Sequence, residues 1–415
     1  FESEYPNYYN LKYNNDFIGY IDVMKSLDAR SVALEFIVTK DETFYLKMTK
    51  SNTDFGKISI GEDSLRVQLT RFKQLLSETK NDNVDFEVAY QKYSEWIYTN
   101  FISKAIDHKE YSKLLMLVDG PWESVPLDLL KIGTLDNSKY LLENISISYA
   151  YSFDQLFQAW NSHNTIKYKS ELVSFAPSGF GVQDSLTYSE FRDLEVDLRW
   201  NKDEANKLAK TMNGRAVVDY AATETNFKKT LDSRIVHLAT HAFFDLNNPM
   251  YSRLVFSKND STDDGYLFAG ELYNMDLNAE MAVLSACNSG TAKDLRGEGG
   301  ISLANAFMYA GVPSVVMSKW QVDDQSTSQL MQYFYENLKK GMTKSEALRQ
   351  AKLTFLETAP PEKQHPFYWG AFVVIGDDSP LFRKSFTWVL PLTLLFFLVL
   401  VFISGELKRI KLAYS

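Results

Sequence analysis

Two β-prone runs, at 32–38 and 43–49, are separated by Lys40, Asp41 and Glu42 and predict a β-hairpin. Ahead of them, residues 1–26 are rich in Tyr and Asn and read as an irregular lead-in. From 64 to 106 apolar residues recur at helical spacing: Leu65, Leu69, Phe72 and Leu76, then Tyr90, Tyr93, Ile97 and Phe101. That spacing predicts two helices broken near 81–83. The pattern then changes. Apolar runs at 114–118, 171–176, 215–218, 234–240, 281–286, 313–318 and 372–375 alternate with helical stretches at 190–212, 224–231, 300–310, 324–340 and 343–357. Strand alternating with helix predicts an α/β domain over 108–380, built on a largely parallel sheet flanked by helices, with the hairpin and helices of 1–107 before it.

A different pattern closes the chain. Residues 386–403, FTWVLPLTLLFFLVLVFI, form an eighteen-residue run without a charge. At about 1.5 Å per residue it nearly matches a hydrocarbon core of roughly 30 Å. Trp388 sits near one end, Pro391 falls in the first turns, and Arg383, Lys384, Lys408, Arg409 and Lys411 flank the run. We expect a single transmembrane helix at 386–403 and a short basic tail at 404–415. The flanking charges set no clear orientation. The first residue is Phe1 with no signal-peptide pattern after it, so the sequence reads as a piece of a longer chain.

Composition narrows the function. A 45% hydrophobic and 23% charged content is that of a globular protein, and the net charge of -9 argues against a broad nucleic-acid footprint. Five histidines and one cysteine show no zinc-like spacing, and Cys287 alone makes an intrachain disulfide impossible. Any thiol chemistry falls to Cys287.

In parallel sheets, sites form beyond the carboxyl ends of the strands. The run IVHLATH ends at His241 and the run AVLSAC ends at Cys287. If their strands are neighbours, about 5 Å apart, imidazole and thiol can meet, and a thiol beside histidine is readily converted to the nucleophilic thiolate. A lone cysteine closing an apolar strand is, however, more often an inert core residue. His237, on the same run, reads as a hydrogen-bonded core residue that alternation puts on the face of His241. His108 and His163 carry no signal.

The ordered motifs HLATH at 237–241, DGYLFAGELY at 264–273, LSACNSGTA at 284–292 and GEGG at 297–300 resemble the CHAT family. The likeness runs on through SLANAFMYAGVPSVVMSKWQVDD at 302–324 and HPFYWGAFVVIGD at 365–377, with LLMLVDGPWESVPLDLL at 114–130 upstream. These are caspase-like (clan CD) peptidase domains related to separases and often fused to tetratricopeptide repeats. The resemblance implies a caspase-like fold and a cysteine endopeptidase in which His241 is the general base and Cys287 the nucleophile. It also implies that backbone N–H groups of Ala242 and Cys287 stabilise the oxyanion. Many relatives have glycine after the histidine; here it is Ala242, which enters positive-φ regions less freely. No metal or organic cofactor is implied.

The segment after 313–318 forms part of the substrate groove in caspase-like folds, so Trp320, Asp323 and Asp324 are candidate substrate contacts. An acidic pair there suits a basic side chain before the scissile bond, while helix capping by Asp323 or Asp324 is an equal alternative. Asp245 is a candidate orienter of His241, though a turn role is commoner; RGEGG at 296–300 reads as a loop, and His365, Pro366, Tyr368 and Trp369 as packing residues. The expectation is a membrane-anchored endopeptidase acting on a protein substrate, cytoplasmic because a reduced thiol is needed, and controlled through an upstream repeat region. The rivals are a catalytically silent scaffold and a Cys-dependent hydrolase of a small amide.

Overall fold

The computed structural model describes residues 20–77, 86–161, 168–178, 198, 200–229, 232–245, 247–258, 264–285, 287–288 and 298–382. The chain divides into two bodies, Phe1–Leu381 and Phe382–Ser415, and all three sheets of the described residues lie in the first. The expected membrane span at 386–403 and the tail at 404–415 lie outside the described residues. Among the described residues, no helix is long and apolar enough to cross a membrane.

The lead-in is not wholly irregular, because helix α1 occupies Tyr20–Ser26 and buries Val23 against the hairpin sheet. The hairpin forms as expected: β1 (Ser31–Val38) pairs antiparallel with β2 (Thr43–Thr49) from Val32↔Thr49 to Val38↔Thr43. A third strand, β3 (Thr53–Ile58), extends it. Helix α2 (Glu62–Ser77) buries Leu65, Leu69, Phe72 and Leu76, the four residues that gave its period, and α3 (Phe86–Ile97) buries Tyr90 and Ile97.

The alternating region begins with β4 (Lys113–Leu117) and β5 (Ser146–Ala150), followed by α4 (Phe153–Asn161) and β6 (Ser170–Ala176). Helix α5 (Asn201–Thr211), β7 (Arg215–Val218), α6 (Glu224–Lys229) and β8 (Ser233–Leu238) follow. Three very short strands come next, β9 (His241–Phe243), β10 (Arg253–Val255) and β11 (Tyr266–Phe268), then β12 (Met281–Leu284) and β13 (Cys287–Asn288). Helix α7 (Glu298–Tyr309), β14 (Ser314–Ser318), α8 (Asp324–Lys339), α9 (Lys344–Thr358) and β15 (Phe372–Gly376) complete the body.

Eleven strands form one sheet in the order β3-β2-β1-β4-β5-β15-β14-β12-β8-β6-β7. The pairs β1·β4, β4·β5, β12·β14, β8·β12, β6·β8 and β6·β7 are parallel, while β15 lies antiparallel to β14. The central strands are covered on both faces: every residue of β12, β14 and β15 is buried, the serines that begin and end β14 included. The fold is therefore α/β with a large, mostly parallel sheet.

Gly376 ends β15 at φ +90, and a Cβ there would lie 2.3 Å from the Pro313 carbonyl oxygen. The turn lets Asp377 reach back to Lys344. Gly376→Ala is expected to cost at least about 2 kcal/mol of unfolding free energy, the left-handed penalty plus a backbone clash. Denaturant titration against the parent chain checks this.

Candidate active site

The first element of the site is the central strand β8. Ile235, Val236, His237 and Leu238 are all buried there between β6 and β12. His237 does what its position suggested: its Nε2 meets Glu204 Oε1 at 2.7 Å and its Nδ1 meets the Tyr335 hydroxyl at 3.1 Å. All three groups are buried, so the strand is tied to α5 on one side chain and to α8 on another.

The expected single run to His241 is broken. The large sheet ends at Leu238, the Thr240 hydroxyl donates to the Val255 carbonyl, and His241 opens a second sheet. The alternation expected to put His237 and His241 on one face is thereby interrupted. The second sheet has the order β11-β10-β9-β13. In it β9 pairs parallel with β13, and the register sets His241 opposite Cys287 and Ala242 opposite Asn288. Residues so paired sit about 4.8 Å apart between strand axes. The backbone thus brings the two sequence-predicted residues together, at the carboxyl ends of adjacent parallel strands β8 and β12.

His241 is 4% exposed, and burial holds its pKa down at about 4. The imidazole is therefore neutral at pH 7, the form that accepts a proton from a thiol. The depressed value has a consequence for stability. Above pH 6.5 neither folded nor unfolded chain protonates this ring; below it the unfolded chain does so first, and stability falls until the folded pKa near 4 is passed. The loss from His241 is expected to reach roughly 3 kcal/mol by pH 4. His365, also pushed down by burial to about 4 despite the opposing Glu87 charge, acts in the same direction. Unfolding titrations at pH 7 and pH 4.5 are expected to show a shallower acid loss in His241→Gln than in the parent.

Ala242 is buried, in register with Leu254 on one side and Asn288 on the other. Among the described residues the non-glycine positions with positive φ are Asn213 and Asp219, so alanine fits here without backbone strain. The departure from glycine is explained by the strand conformation.

The remaining candidates divide by what their side chains already hold. Asp245 is a turn residue, its carboxylate accepting from the Asn247 and Asn248 amides at 2.9 Å each. Trp320 is buried and its Nε1–H donates to the Phe367 carbonyl at 3.2 Å. Asp323 caps α8 through the Ser326 amide at 2.8 Å and meets Lys363 at 3.2 Å. Burial raises the Asp323 pKa, but those contacts outweigh it and the carboxyl sits below its usual range. Asp324 is the first residue of α8. His365 and Trp369 are packing residues as read: the His365 Nδ1 accepts from the Phe367 amide at 3.1 Å, and Trp369 Nε1–H donates to the Gln364 carbonyl at 3.0 Å. Of RGEGG, Arg296 and Gly297 lie outside the described residues, while Glu298 begins α7. Among the described residues no group of three or more His, Cys, Asp or Glu is arranged to hold a metal ion.

The second sheet escaped the sequence reading. Its strands of two or three residues are shorter than any periodicity test resolves, although the triplets RLV at 253–255 and YLF at 266–268 are β-prone.

Comparison with known proteins places this architecture. Tetratricopeptide repeat protein 28 from Homo sapiens is 24% identical over 313 residues, covering 66% of this chain and 12% of its own length. Its Mus musculus counterpart is 23% identical over the same extent. The chain thus spans about an eighth of the length of these curated relatives. A chain in the crystal structure of the Saccharomyces cerevisiae separase–securin complex superposes with a TM-score of 0.54 at 12% identity, covering 86% of this chain and 30% of that one. The fold is therefore shared with that chain. The CHAT domain family matches residues 91–377, more than two thirds of the sequence. This chain belongs to the CHAT domain family.

Proposed function

We propose that this chain is a cysteine endopeptidase that cuts a specific protein substrate through His241 and Cys287. One observation carries the reading: His241 and Cys287 are direct partners across a parallel pair that continues two adjacent strands of the central sheet. Membership of a caspase-like family supports it, since retention of both residues has a chemical reason in an enzyme and none in a silent scaffold.

The mechanism follows from the groups. Neutral His241 takes the thiol proton of Cys287 as the sulfur attacks the scissile carbonyl carbon, and the C=O π pair moves to oxygen. Backbone N–H groups of Ala242 and Cys287 hold that oxyanion. The imidazolium then gives its proton to the leaving amine as the C–N bond breaks, leaving a thioester on Cys287. Water, deprotonated by His241, attacks the thioester, and the thiolate leaves and is reprotonated. Burial favours the neutral form of His241, the form that the first proton transfer needs.

Within this reading the run at 386–403 anchors the protein to a membrane, the peptidase body faces the cytoplasm, and a repeat region outside this sequence controls it. The segment carrying Trp320, Asp323 and Asp324 borders the groove, with backbone atoms as its main contacts because the Trp320 and Asp323 side chains are engaged in the fold. The test is cleavage of a diverse peptide library in detergent, using this chain and a longer form that includes its natural flanking sequence. Discrete cut sites that vanish in Cys287→Ala support the proposal. No cleavage by either form, with Cys287 inert to thiol-directed probes, favours the scaffold.

A further inference from the structure

The first body holds a cavity of about 470 Å³ among the end of α1, strands β4 and β5, helix α4 and the segment that follows β15. Sites for small molecules fall in the range of roughly 300–1,000 Å³. Gly376, on the cavity wall, is in register with Ser314, where β14 begins. That wall therefore stands at the edge of the sheet away from the strand ends that carry His241 and Cys287. One side of the cavity is apolar and packed. Leu27, Leu115 and Leu156 belong to one buried cluster, with Trp160 against it. Leu156 and Trp160 are four residues apart on α4 and so share a helix face.

The polar lining is incompletely bonded. Ser148 of β5 is 6% exposed and lines the cavity, yet its hydroxyl meets no hydrogen-bond partner among the described residues. A buried hydroxyl left so is costly, and a polar atom placed in the cavity removes the cost. Three carboxyl groups, Asp28, Asp377 and Asp378, line the cavity against one ammonium, Lys113. Asp28 pairs with Lys113 at 3.2 Å and Asp377 with Lys344 at 2.9 Å. Asp378 has neutral partners only: it accepts from the Ser345 amide at 2.6 Å and the Ser345 hydroxyl at 2.7 Å. Lys344 has no donor left for it, because its three are spent on the Asp377 carboxylate and the carbonyls of Asp377 and Ser379. Burial pushes the Asp378 pKa up despite the Ser345 bonds and the charges of Lys344 and Lys113, as expected of a carboxyl short of a cation.

We infer that this cavity binds a small organic ammonium with an apolar body, its nitrogen on Asp378 and its body against Leu156 and Trp160. The charge balance sets the class. An anion would add to the excess of carboxyl groups, a neutral ligand would leave Asp378 without a cation, and a bare metal ion would leave the apolar side uncovered. Trp160 strengthens the choice, since indole is the best aromatic surface for a cation. The inference is independent of the endopeptidase reading, with which it shares no residue.

The test titrates the full chain with 2-phenylethylamine, 2-phenylethanol, phenylacetate and methylamine, followed by ligand-observed NMR. 2-Phenylethylamine is expected to bind at a single saturable site, about tenfold or more tighter than the alcohol, with phenylacetate weaker still. Methylamine, which lacks the apolar body, is also expected to bind at least about tenfold more weakly than 2-phenylethylamine. Asp378→Asn keeps the size of the side chain and is expected to erase the preference for amine over alcohol. Ser148→Val, which fills the floor and removes the hydroxyl, is expected to weaken both ligands. Melting curves without ligand show whether each variant folds, and saturating 2-phenylethylamine is expected to raise the parent's Tm. The comparison of the four probes on the parent chain decides the class without any variant. Equal affinities for amine and alcohol, or no saturable amine binding up to about 10 mM, overturns the inference. So does an amine affinity unchanged in folded Asp378→Asn or folded Ser148→Val, which would put the binding elsewhere on the chain.

Discussion

Cys287→Ala and His241→Ala are each expected to lower kcat/KM for the cleaved peptide by about 10⁴-fold or more, and the double variant by no more than either alone. The non-additivity is the informative part. If the thiol is the nucleophile and the imidazole its base, removing either leaves the other with nothing to do. The structural basis is the register of β9 with β13, which sets the two residues opposite one another. His241→Gln keeps a similar volume and a hydrogen-bonding side chain but cannot carry a proton from sulfur to the leaving amine. It is expected to match His241→Ala in kcat while keeping the fold, as read by circular dichroism. Cleavage retained within tenfold in any of these variants would remove the dyad from the mechanism.

The second large effect concerns the frame and not the chemistry. Lys344 and Asp377 pair at 2.9 Å with both side chains 1% exposed. The ammonium also donates to the carbonyls of Asp377 at 2.8 Å and Ser379 at 2.9 Å, so its three donors are used. Burial alone would raise the Asp377 pKa, but Lys344 and Ser379 outweigh it and hold the carboxyl below its usual range. Lys344→Met is expected to cost roughly 3–5 kcal/mol, because a buried carboxylate loses its cation. Lys344→Met with Asp377→Asn is expected to cost less than the sum of the singles, and chemical denaturation of the four chains gives the coupling directly. A single-variant cost below about 1 kcal/mol would show that water or a neighbour replaces the ammonium. The pair matters to the site at one remove: it secures the end of β15, which pairs with β14, and the Trp320 segment follows β14 directly.

Much of the large sheet was legible because its strands are buried on both faces and so read as unbroken apolar runs. The run at 281–286 became Met281–Leu284, and that at 313–318 became Ser314–Ser318. Strand β5 was hidden by chemistry. Ser146 and Ser148 are buried within it, and such alternation of serine with apolar residues gives no run of the expected kind. The break at Thr240 was hidden because its cause is a hydrogen bond to Val255, fifteen residues on. The candidate site was legible as two strand ends, His241 and Cys287; that the ends are neighbours is a property of strand order, which no local pattern encodes. Lys344 and Asp377 escaped for the same reason, being thirty-three residues apart.

The most direct measurement uses the fact that the chain has a single cysteine. A peptide bearing an electrophile at the scissile carbonyl position, matched to a sequence the chain cleaves, is incubated with the parent chain and with His241→Ala, and the adduct is mapped by mass spectrometry. The expected result is stoichiometric labelling of Cys287 in the parent, loss of peptidase activity in step with labelling, and labelling slowed at least about a hundredfold without His241. Full peptidase activity with Cys287 unlabelled, or equal labelling rates in the two chains, would contradict the assignment of His241 and Cys287 as a catalytic pair.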